Sequence, residues 1–137
     1  MPAPSLCTED EIRTLVHTFY ARVRADPQLG PIFNHHVDDW DVHLRKLCDF
    51  WSSILLRTAR FSGAPMPMHA RLPDLKADLF VHWLALFQRT ADEQPNQAMA
   101  QRATMAAQRI ARSLWFGYQS INTPDQMPSD LPMPAES

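Results

Sequence analysis

Apolar positions at Ile12, Leu15, Val16, Phe19, Tyr20 and Val23 follow the i, i+3, i+4, i+7 spacing of one helix face. Thr8-x-x-Glu11 ahead of them reads as a capping box, and Pro27 ends the run. The corner "QLGPIFNHH" follows, with Pro31 suited to the first turn of a short helix. Asp38 and Asp39 offer N-caps for a helix from Trp40 to Arg57. Its inward face carries Trp40, His43, Leu44, Leu47, Trp51, Ile54 and Leu55, with Phe50 alongside.

Prolines and a glycine break "SGAPMPMHARLP", residues 62–73, into an extended bridge. Pro73 then restarts a helix to about Ala91, with Leu75, Leu79, Trp83, Leu86 and Phe87 on one face. Pro95 breaks it, and Asn96 caps a last helix to about Gln119, striped by Met99, Ala103, Ala106, Ile110 and Leu114. From Asn122 the sequence "NTPDQMPSDLPMPAES" has no period, so a domain over residues 1–121 and a disordered tail over 122–137 are expected.

Three glycines against twelve prolines, with few β-branched runs, favour an all-α chain over a sheet. A net charge of −2 with scattered arginines gives no footprint for nucleic acid or an anionic membrane. No apolar run has the length of a bilayer span, and the first residues lack the pattern of a signal peptide. Cys7 and Cys48 form no framework of disulfides and read as free thiols of a cytoplasmic protein.

Tyr20, His43 and Trp83 put hydrogen-bonding groups on faces that should be core. Singly, each has an ordinary reading as a core residue whose polar atom finds a partner. Together they come from three helices and surround a space lined by Phe19, Leu47, Phe50 and Trp51. His69 sits opposite, on the broken bridge. A flat apolar slot with one histidine on one side and donors on the other suits a haem, and the bridge then serves as a ligand holder. His17 and His82 are expected to face solvent, and the adjacent His35 and His36 carry no metal-site signature. No E-x-x-H pair is present for a di-iron bundle, and without C-x-x-C-H a haem would be held non-covalently.

Over about Thr8 to Gln119 the chain resembles the third group of truncated haemoglobins, small bacterial globins with a two-over-two helical sandwich. The resemblance rests on "FYARVRADPQLGPIF", on His43 followed by Phe50 and Trp51, and on His69 followed by Trp83 within "FVHWLALF". The paired-glycine motifs of the other two groups are missing. The resemblance implies that His69 is the proximal iron ligand of a haem b, with Tyr20, His43 and Trp83 on the distal side. Phe50 and Trp51 become haem-packing residues, and Phe33, Met68 and Phe80 further pocket walls. Arg71 would pair with a propionate or be a solvated arginine.

Such a site implies reversible binding of O2, CO or NO, with donors that favour retention over bulk transport. Redox chemistry on O2, NO or peroxide, as in an NO dioxygenase or a peroxidase-like enzyme, would need a separate reductase, because the chain has no room for a flavin or nicotinamide domain. A gas sensor or scavenger without turnover is the competing expectation, and a haem-free helical bundle the third.

Overall fold

The computed structural model describes residues 6–56 and 76–131. Among the described residues all regular structure is helical: α1 (Glu9–Ala25), α2 (Leu29–His36), α3 (Trp40–Leu56), α4 (Ala77–Asp92) and α5 (Gln97–Asn122). The broken bridge, Pro73 and Leu75 lie outside the described residues. No helix among the described residues is long and apolar enough to cross a membrane.

Local chemistry sets the helix ends. Thr8 Oγ1 accepts from the Glu11 amide at 3.1 Å while Glu11 Oε1 accepts from the Thr8 amide at 2.9 Å, closing the expected capping box. At the other end Asp26 is extended, with φ −72° and ψ 132°, as a residue before proline must be. Its carboxylate then starts α2: Oδ1 accepts from the amides of Gln28 and Leu29 at 2.8 and 2.9 Å. The corner is tight at Gly30, where a Cβ would lie 2.6 Å from the Arg24 carbonyl oxygen. Asp39 Oδ1 accepts from the Val42 amide, and Asn96 Oδ1 from the Met99 amide, so both expected caps form.

α1 packs against α2, α3 and α4, while α4 lies along α5 and α3 touches α5. Phe19 and Phe87 are almost wholly buried at the centre. α5, which lies along α4, buries Ala100, Ala103, Ala106, Ala107 and Ala111. Small side chains let a neighbouring helix come close, and Phe80, Leu84 and Phe87 of α4 are buried in turn. The face of α4 expected from spacing is therefore rotated. Phe80, Leu84, Phe87 and Ala91 form its buried line, while Leu79, Trp83 and Leu86 are half-buried beside it. A helix wedged between two partners buries a wider arc than one stripe.

The expected unpacked tail does not describe residues 123–131. Trp115 Nε1 donates to the Ser129 carbonyl at 2.8 Å, and Gln119 both donates to that carbonyl and accepts from the Ser129 amide, each at 2.9 Å. Arg112 forks onto Asp130 at 3.1 and 2.7 Å, and Leu131 is buried. One apolar anchor and bonds to backbone groups leave no period for a sequence reading to find.

Candidate functional site

The second half of α1 presents Phe19 and Tyr20 side by side, both buried. Phe19 lies edge-on to three rings, those of Tyr20, Trp83 and Phe87, at centroid separations of 4.8, 5.3 and 4.9 Å. Trp83 stacks on Phe87 at 5.6 Å, and Trp51 of α3 stacks on the same phenylalanine at 5.1 Å. Phe50 meets Trp51 edge-on at 5.8 Å. Rings from α1, α3 and α4 thus converge in one cluster, with offset and T-shaped contacts that fix each ring's plane.

Within it the Trp83 indole faces the Tyr20 phenol closely enough to stabilise its charged form. An indole can only donate, so its effect on the phenol is that of a donor turned toward the phenol oxygen. Burial pushes the Tyr20 phenol far above its ordinary pKa, and the Trp83 indole offsets only part of that rise. Tyr20 is therefore a neutral donor throughout the physiological range.

A second layer begins where Tyr20 meets Phe33 of α2 at 6.1 Å and Trp40 of α3 at 6.3 Å. Trp40 stands edge-on to His43, one turn later, at 5.5 Å and 88°. The Arg24 guanidinium lies over the Trp40 ring, 4.7 Å from its centroid, a cation–π contact worth about 0.5–1 kcal/mol at an exposed site. Trp40 Nε1 donates to Asn34 Oδ1 at 3.1 Å, and Asn34 Nδ2 donates to the Arg24 carbonyl at 3.3 Å. Three helix ends are tied at this point.

Of the residues singled out from sequence, Phe19, Tyr20, Trp51 and Trp83 share the central cluster, and Phe50 joins it through Trp51. Phe33 and His43 adjoin through Tyr20 and Trp40. Leu47 is half-buried against the core. Phe80 belongs to the α4–α5 interface, with its ring 5.6 Å from that of Trp115. Met68, His69 and Arg71 lie outside the described residues. His17 is exposed as expected. His82 is not simply solvent-facing: its Nε2 lies 2.7 Å from Asp26 Oδ2, pinning α4 to the α1–α2 corner. Periodicity placed His82 off the core face but could not show a carboxylate arriving from 56 residues away.

Trp40, Arg24 and Asn34 were missed as site residues. A signal existed for two of them: Trp40 is one turn before His43 on α3, and Arg24 one turn after Tyr20 on α1. Nothing local marks Asn34.

An all-helical body with rings from α1, α3 and α4 gathered in one cluster, and polar groups set among them, is the kind of core a globin has. The chain is 32% identical over 115 residues to the group 3 truncated hemoglobin ctb of Campylobacter jejuni, covering 78% of this chain and 91% of the relative. The crystal structure of group III truncated hemoglobin from Campylobacter jejuni matches with a TM-score of 0.66 at 32% identity, over 84% of this chain and 96% of that one. This chain belongs to the group 3 truncated haemoglobins. No protein-family profile matches it.

Proposed function

We propose that this globin holds haem b non-covalently through His69 and retains a diatomic gas against Tyr20 and Trp83, with His43 as a gate at the pocket mouth. The observation that carries the reading is the pairing of buried Tyr20 with half-buried Trp83 in an otherwise apolar ring cluster. The residues present suit the group. Phe19, Phe33, Leu47, Phe50 and Trp51 offer flat apolar surface, and the polar atoms among them are donors. The family pattern would add Met68 to the wall, and would leave Arg71 either to a propionate or to solvent.

Haem, when bound, supplies an iron that takes O2, CO or NO. The chain's own part is to hold what has entered. Trp83 fixes the phenol oxygen, so the Tyr20 hydroxyl donates toward a ligand that has gained negative charge. Each such bond contributes about 1.5–3 kcal/mol, against ~1 kcal/mol between neutral partners. A donor held in this way slows O2 release by about tenfold or more, at roughly tenfold per 1.4 kcal/mol. Retention of this kind suits redox chemistry on O2, NO or peroxide, fed by a separate reductase in the cytoplasm, rather than bulk transport.

Absorbance of the purified chain in ferric, ferrous and CO-bound forms tests the reading, which expects a Soret band that moves with each state. His69→Gly should weaken haem retention, and added imidazole should partly restore the ferrous spectrum. An unchanged spectrum and affinity in that variant would remove His69 from the iron.

A further inference from the structure

Trp40 has more partners than a residue filling a gap requires. Its inner edge meets Tyr20 and one side meets His43, while Arg24 covers its face. Its only polar atom is spent on Asn34, whose amide in turn holds the backbone of Arg24. The result is a closed loop: guanidinium on indole, indole on amide, amide on the arginine's own carbonyl. Arg24 and Asn34 are exposed, yet the ring they hold is half-buried and wedged between the two residues most concerned with the pocket. Rotation of Trp40 would break the Asn34 bond and the Arg24 contact together. While that loop is closed, the edge-on indole limits the space into which the His43 imidazole can swing.

We propose that Trp40, latched by Arg24 and Asn34, is a positioning residue for His43 and sets how readily gas enters the pocket. The proposal rests on the reading of His43 as a gate. It assigns control of that gate to the α1–α2 corner, outside the pocket itself. Opening the latch removes the indole's restriction on the imidazole, so entry speeds up while the Tyr20–Trp83 pair, on other elements, keeps its hold on the ligand.

The test uses the full-length haem-loaded chain with CO as the ligand. Asn34→Leu and Arg24→Met each remove one latch contact at an exposed position and leave Trp40 in place. Each should raise the CO association rate by about threefold, the scale of a lost cation–π or exposed polar contact, with dissociation changed less than twofold. In the same complexes the His43 ring resonances should broaden or split and the C–O stretching band should widen. Both variants are repeated in a His43→Ala background, where their effect on association should vanish. An effect that persists without His43 overturns the proposal, as does an unaltered His43 ring signal in both latch variants. If His43→Ala alone leaves association unchanged, the gate reading is wrong. The ring resonances then still decide whether Trp40 orients His43.

Discussion

The α4–α5 interface and the inner face of α3 make opposite choices of side-chain size. α5, which lies along α4, buries alanines, and the large side chains of α4 are sealed in turn. α3 keeps Leu44, Leu47, Phe50 and Ile54 half-buried, and among its residues only Trp51, Ser52 and Leu55 are sealed. Close packing of small against large yields rigidity and leaves no space for a guest. Large apolar side chains left half-covered form a wall. One side of this globin is therefore sealed, the other is the side proposed for binding, and Trp83 stands at the boundary, stacked on Phe87 and facing Tyr20.

Removing a large ring from the sealed side should produce the largest effect. Phe87→Ala is expected to cost about 3–5 kcal/mol of stability, because the rings of Phe19, Trp51 and Trp83 all lose their common neighbour. Phe50→Ala on the binding side should cost the haem-free chain well under half as much, yet weaken haem retention clearly. Denaturant melts of both variants, with and without haem, measure the contrast. Equal losses in the haem-free chain would erase the distinction.

The segment after α5 belongs to the sealed side. Leu131 is buried and its neighbours Ser129 and Asp130 are bonded to α5. Leu131→Ala should therefore cost about 2 kcal/mol, the low end for a buried leucine because the site lies at the edge of the core. A thermal melt unchanged by the substitution would show that the segment contributes nothing to the fold.

On the binding side the effect should appear in rates rather than melts. Tyr20→Phe and Trp83→Phe are each expected to speed O2 dissociation about tenfold or more, since a bond of ~1.5 kcal/mol is lost. CO carries less negative charge and should respond less. Stopped-flow off-rates check this. A larger increase in His43→Ala than in either variant would move the hold on the ligand to the histidine.

What the sequence revealed follows the same division. Helix ends were legible because Thr8, Glu11, Pro27 and Asn96 act on backbone within a turn of themselves. Tyr20 and Trp83 were legible because a polar group on an apolar stripe stands out against its own helix. The Trp40–Asn34–Arg24 loop was not, since its members meet only when the α1–α2 corner closes. The segment over 123–131 hid for a related reason. Several of its bonds run to main-chain groups of Ser129, where a backbone partner leaves no trace in residue identity, and the Arg112–Asp130 pair spans 18 residues.

The smallest expected effect concerns the contact that joins the two sides, Asp26 with His82. Asp26 serves the α1–α2 corner through Oδ1 and α4 through Oδ2. Desolvation raises its pKa, but bonds from the Leu29 and Gln28 amides and the His82 side chain outweigh this and hold it below the ordinary carboxylate value. A depressed pKa means that the folded state binds its proton less readily than the unfolded chain. The stabilisation is thus fully present above the unfolded value of ~3.9, and is lost as pH falls through the folded one. Asp26→Asn keeps an oxygen for the corner amides and removes the charge that faces His82. The variant should be about 1 kcal/mol less stable near pH 6, a modest figure because the His82 side chain is 36% exposed and water screens the pair. The two proteins should converge in stability as the solution is acidified below the folded pKa. Denaturant melts from about pH 2 to about pH 6 follow that convergence. A gap that stays constant with pH would mean that geometry, not charge, makes the contact matter.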